Sequence, residues 1–203
     1  ILAQVAKDSS FVDLIINPKI AKAEVLNTLL ELVNNKDEII GKEEKIYVHQ
    51  HGFLHRAFSI FIFRHTVSGL ELLMQRRALN KYHSGGLWAN TCCGHPLFGE
   101  ITKNAAIRRL GEELGLVIRL EEIGSFLYKK QVTNNLIEHE YDHIYVGFWQ
   151  GEKIFPHPNE VYEIGWWSIK EIQNRLISDG QLFAVWFIDA FEIVVECIKN
   201  EKN

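Results

Sequence analysis

Residues 88–98 read WANTCCGHPLF, which sets two of the chain's three cysteines side by side, directly before Gly94, His95 and Pro96. Adjacent cysteines are poorly placed to bridge each other, and the third, Cys197, lies far along the chain. The pair therefore asks for a reading other than a disulfide. Histidine is the second signal: nine occur, and HQHGFLH at 49–55 holds three of them. Imidazoles hold a metal where several donors converge in space, and the HExxH spacing of zinc proteases is absent. The third signal is Glu138-His139-Glu140. On a strand, residues two apart share a face, so both carboxylates would point one way and His139 the other. Two carboxylates on one face either repel each other in solvent or share a cation or a proton. The flanking residues are apolar and aromatic, as on a half-buried strand.

The most specific pattern runs from Gly94 through Glu100 to Arg108-Arg109-Leu110-Gly111-Glu112-Glu113-Leu114-Gly115-Leu116. It resembles the Nudix box, a loop–helix–loop element that arranges acidic side chains around diphosphate-bound magnesium. A helix brings carboxylates three or four apart onto one face, and magnesium takes carboxylates together with phosphate oxygens. One position departs from the box of the diphosphate hydrolases. Arg109 stands where they carry their first Glu, a cation in place of a metal ligand, which argues against ordinary Nudix hydrolysis.

That departure, with CCGHP, points to one branch. LHRAFS at 54–59, QRRALNK at 75–81, LWANTCCGHP at 87–96, the altered box, Tyr128 and EHE at 138–140 follow in order. Together they resemble the type I isopentenyl diphosphate isomerases of the Nudix superfamily, over about residues 45 to 186. The resemblance implies a reversible shift of the double bond between isopentenyl and dimethylallyl diphosphate through a tertiary carbocation. It implies Cys93 and Glu140 as the proton-transferring pair on opposite faces of the substrate, with Tyr128 assisting Glu140. Cys92 reads as a small buried hydrophobe. His49, His55, His95, Glu138 and Glu140 are implied as ligands of one divalent metal, and such mixed donors suit zinc, manganese or magnesium. His49 is preferred on the KxxxH spacing from Lys45, with His51 as the alternative. A second cation, magnesium, would accompany the diphosphate on Glu113, with the Cys93 carbonyl. Lys45, Arg77, Lys81 and Arg109 are implied as diphosphate contacts, whereas Arg76 and Arg108 read as solvated surface cations. Trp186 would face the carbocation, and Trp88 would line the apolar pocket. Core packing is the reading for Trp149, Trp166 and Trp167.

These residues need elements to position them. Residues 20–34 show apolar positions at helical spacing, and 34–45 suggest a turn and a short strand pair. Residues 55–77 read as a hairpin turning at TVSG. Residues 102–114 suit a helix with Thr102 as N-cap and Gly115 as its stop. Strands are expected at 122–133 and 137–150, a strand entering a helix at 165–176, and a last helix at 181–199. Strands outnumber helices in mixed order, which predicts an α+β fold, a single domain at 41–203 with helices on an antiparallel or mixed sheet. A helical N-terminal extension, 1–40, would pack on it. The net charge of −4 does not suggest a nucleic-acid partner. No apolar run is long enough for a membrane, and three irregularly spaced cysteines fit a reducing cytosol. The expected partner is a small prenyl diphosphate, bound by a cytoplasmic monomer or weak dimer. A first residue of Ile rather than Met suggests a trimmed start.

Overall fold

The computed structural model describes residues 28–200. Its elements are strands β1 (Leu29–Val33) and β2 (Ile39–Glu44), helix α1 (Lys45–His51), and the strand pair β3 (His55–Thr66) and β4 (Gly69–Arg77). Short strands β5 (Trp88–Ala89) and β6 (Cys92–Gly94) follow, then helix α2 (Thr102–Leu114), β7 (Glu121–Gln131), β8 (Ile137–Phe148) and β9 (Val161–Ser168). Helices α3 (Ile169–Asp179) and α4 (Val185–Asn200) close the chain.

The strands form one mixed sheet. β3 is its axis: β4, β6 and β1 pair with it antiparallel, and β8 runs parallel to it from His55↔Glu140 to Phe63↔Phe148. Residues 57–63 of β3, AFSIFIF, are buried throughout, as expected of a strand covered on both faces. Its side chains divide by alternation. Phe61 and Phe63 join the core that holds Phe187, Phe191 and Val194 of α4. Phe58, Ile60 and Ile62 join the core that holds Ala106, Leu110 and Leu114 of α2. The sheet is therefore layered between α4 and α2. No helix among the described residues is long and apolar enough to cross a membrane.

Several local expectations change. Residues 29–33 form strand β1 rather than the end of a helix, and residues 20–27 lie outside the described residues, as does most of the expected extension. LLELV fits either period. The strand is selected because it pairs along β2 and because Glu31, 3 % exposed, meets Arg56 of β3 at 2.5 Å. Segment 45–51, for which the sequence suggested no element, is helix α1, capped by the Glu44 side chain on Tyr47 N and ended by Gly52 at φ 64°. In α2 the N-cap is Ile101, and Thr102 is the first helical residue. The box clamps this end another way: Glu100 accepts from Leu97 N and from both arms of the Arg108 guanidinium. Gly115 ends α2 at φ 66°, as expected.

Gly147, on β8, has no room for a side chain. A Cβ there would lie 2.9 Å from Ile118 Cγ2 and Ile62 Cδ1 and 3.0 Å from the Arg119 carbonyl. Gly147→Ala should therefore lower stability by about 1–3 kcal/mol, read as a lower urea midpoint at unchanged slope. An unshifted midpoint would contradict this packing.

Candidate active site

Four elements converge at one end of the sheet. α1 brings His49, the first residue of β3 is His55, the turn after β6 brings His95, and β8 brings Glu138 and Glu140. The ligand atoms of these five residues all lie within 4.8 Å of one another. Strand alternation explains the carboxylates: Glu138, Glu140 and Asp142 are buried on one face, and His139 turns away to the Gly52 carbonyl at 2.8 Å. Register explains the partners of Glu140. His55 lies opposite it on β3 and Tyr128 opposite it on β7.

The rings are oriented by backbone. His49 Nδ1 donates to the Lys45 carbonyl at 2.7 Å and His55 Nδ1 to the Phe53 carbonyl at 2.9 Å. Each leaves its Nε2 buried and without a hydrogen-bond partner, and so is Glu138 Oε2. Those Nε2 atoms lie 3.5 Å from Glu138 Oε2 and 3.6 Å from Glu140 Oε1, and His95 Nε2 is 2.9 Å from Glu140 Oε1. Burial, reinforced by Lys45, pushes His95 well below its usual pKa and keeps its ring neutral. Two imidazoles anchored outward on backbone carbonyls and a neutral His95, facing two carboxylates, fit a divalent cation. His51 is exposed, stacked 3.9 Å from the Tyr47 ring, and outside this cluster.

A cavity of about 510 Å³ opens beside the cluster, lined by Cys93, Glu138, Glu140, Trp186 and the cations Lys45, Arg77, Lys81 and Arg109. Cys92 is fully buried, while Cys93, paired with Ser59 of β3, faces the cavity. Burial pushes the Cys93 thiol up to about 12, against the pull of Arg77, whose Nη1 is 3.7 Å from Sγ. The thiol thus holds its proton at neutral pH. Glu140 behaves in the opposite sense. Burial would raise its pKa, but its interactions with the neighbouring Glu138, His55 and Tyr128 outweigh this and hold it below the carboxylate range. Tyr128 donates its hydroxyl to Glu140 Oε2 at 2.5 Å, and burial beside that charge keeps the phenol protonated. The cavity lining therefore carries both a protonated thiol and an ionised carboxylate.

The cations are held by acids. Arg109 donates to Glu112 at 2.7 Å, to Glu160 at 3.0 Å and to buried Glu113, and Lys81 pairs with Glu160. Glu113 also accepts from Gln75 at 3.1 Å. Burial, with Arg109 and Lys81 nearby, lowers Lys45 to about 8. Trp186 packs under Arg77 at 5.2 Å and donates from Nε1 to Asn90 at 3.2 Å. Trp88 tilts against Trp167, ring centres 4.4 Å apart, and is not among the residues lining the cavity. Arg108 is also no free surface cation, being clamped to Glu100 and Glu112. Sequence reasoning missed Glu160, Asp142 and His83, the last 2.9 Å from Glu138. Asp142 continues the alternation of Glu138 and Glu140, whereas His83 and Glu160 sit in no recognisable spacing and only the folded contacts identify them.

The fold and the box define a class. The Nudix domain model matches residues 53–187. Among solved structures, the MutT protein of Methanosarcina mazei superposes with a TM-score of 0.56 at 19% identity, covering 74% of this chain and 96% of that one. A Deinococcus radiodurans protein superposes with a TM-score of 0.60, also at 19% identity, covering 74% and 90%. The chain belongs to the Nudix family. More similar relatives narrow its place. Isopentenyl-diphosphate Delta-isomerase of Serratia proteamaculans is 47% identical over 163 residues, 80% of this chain and 89% of the relative. The Photobacterium profundum protein of the same name is 40% identical over 179 residues, 87% of this chain and 99% of the relative. Within the family the chain falls in the isopentenyl-diphosphate Delta-isomerase group.

The raised Cys93 pKa gives a direct expectation. Only thiolate is alkylated, so Cys93 labelling by iodoacetamide should be slow at pH 7 and rise roughly tenfold per pH unit toward about 12. Peptide mass spectrometry would follow it. A plateau near pH 8 would contradict the buried, protonated thiol.

Proposed function

We propose that this protein interconverts isopentenyl and dimethylallyl diphosphate by protonation and deprotonation across one allylic unit. The observation that carries the reading is that Cys93 and Glu140 line one cavity together with Lys45, Arg77, Lys81 and Arg109. The diphosphate is anchored by Lys45, Arg77, Lys81 and Arg109, with Arg giving bidentate contacts and Lys point charges. Glu113 is placed to hold the magnesium that accompanies it. The five-carbon tail then lies between Cys93 and Glu140.

In one direction the Cys93 thiol delivers its proton to the terminal alkene carbon, and the charge develops at the tertiary carbon. Glu140 removes a proton from the far side of the allylic unit, giving the isomer, and the roles reverse in the other direction. Tyr128 steadies the Glu140 carboxylate and passes its proton. The Trp186 face lies where the developing cation needs an electron-rich, water-free wall. Held by His49, His55, His95, Glu138 and Glu140, a divalent ion such as zinc, manganese or magnesium would supply the positive charge that fixes Glu140 and tunes its acidity. Arg109, in the place of a hydrolytic Glu, directs the box helix to binding instead of water activation. A free Cys93 thiol also requires a reducing compartment, which supports a cytoplasmic enzyme, monomeric or weakly dimeric, with no nucleic-acid or membrane partner.

The test is NMR of isopentenyl diphosphate incubated with the protein and magnesium in deuterated water. Deuterated dimethylallyl diphosphate is expected, with Cys93→Ala and Glu140→Gln each lowering kcat by roughly 10²–10⁴-fold. Release of phosphate without isomer would move the assignment to hydrolysis. Separately, Arg109→Gln should raise KM about tenfold or more, through loss of a charged hydrogen bond, with a smaller change in kcat. An unchanged KM would remove Arg109 from the diphosphate site.

A further inference from the structure

His83 lies in the loop between β4 and β5 and is 4 % exposed. Its Nε2 is 2.9 Å from Glu138 Oε1. A carboxylate only accepts, so the ring donates there. Its other nitrogen, Nδ1, is 3.2 Å from Ser84 Oγ, which fits a hydroxyl donating into it. The contact with the carboxylate places a proton on Nε2. The loop is also fastened by its backbone to the turn between β7 and β8, where Ser84 N donates to Thr133 Oγ1 at 3.1 Å. The ring is also boxed by Tyr82 and Trp186, both edge-on, at 4.3 and 6.1 Å.

This divides the Glu138 carboxylate. Oε1 belongs to His83, while Oε2 is buried, has no hydrogen-bond partner and lies on the His49 side. His83 itself is outside the group of five converging ligand atoms. We propose that His83 is a positioning residue: its Nε2–H holds Glu138 so that Oε2 alone is offered to the divalent cation. Outer partners of this kind set ligand orientation and are commonly worth 10–100-fold in metal affinity. The proposal rests on the reading of the five-residue cluster as a metal site.

The test is zinc affinity of the chelator-stripped protein, by competition with a chromophoric chelator, for the parent, His83→Leu, His83→Asn and His83→Gln. Leu keeps the volume without a donor. The Asn amide reaches only as far as Nδ1, whereas the Gln amide nitrogen reaches the place of Nε2. The expected result is a roughly 10- to 100-fold loss for Leu and Asn, with Gln restored to within about threefold of the parent. Should Leu fail to fold, as judged by circular dichroism of the stripped proteins, Asn against Gln carries the comparison. Folded Leu or Asn variants with the parent's affinity would overturn the proposal, as would a Gln variant as weak as they are. A parent that bound no zinc, manganese or magnesium would instead overturn the metal reading beneath it.

Discussion

Two carboxylates, Glu138 and Glu140, stand two residues apart on one face of β8 at 2 % and 7 % exposure. Removing each charge from water costs several kcal/mol unless partners compensate it. Much of the surrounding structure answers that constraint. α1 supplies His49 and the following strand supplies His55. The β6 turn supplies His95, β7 supplies Tyr128, and the loop before β5 supplies His83. Even the third acid of the row fits the pattern. Burial and the charge of Glu140 push Asp142 well above its usual pKa, and it accepts from Ser59 at 2.8 Å as a neutral group.

The parallel pairing of β3 with β8 turns this electrostatic demand into geometry. It sets His55 beside Glu140, and β3 in turn pairs with β6 so that Cys93 comes to the same cavity. The acid and the carboxylate are thus fixed by one continuous sheet, where positions are held more tightly than on loops. The Nudix helix contributes from the other side. Its glutamates are spent partly on Arg109, which they hold at the cavity rim together with Glu160 and Lys81. The acidic side chains of this helix thus gather a cation, Arg109, beside the cavity.

Much of this was legible in the sequence because period and spacing carry it. The alternation of EHE placed both carboxylates on one face, the hairpin at 55–77 and the box helix read directly, and Gly115 marked its stop. Where two readings share a pattern, sequence could not choose. LLELV suits helix and strand alike, and its pairing with β2 and the Glu31–Arg56 contact decide it. Thr102 looks like a cap, yet Glu100 and Arg108 organise that end instead. His83 and Glu160 belong to no spacing rule, and the partners that define them lie about 50 to 80 residues away in sequence.

The central claim is that the buried carboxylate pair is built around a divalent cation. Elemental analysis of the purified protein, paired with urea unfolding before and after chelation, tests it most directly. The account predicts a tightly held divalent ion in stoichiometric amount and a clear fall in the unfolding midpoint when it is stripped, restored on adding it back. A protein that carries no such ion, takes none up, and unfolds at the same midpoint with or without chelator would contradict it.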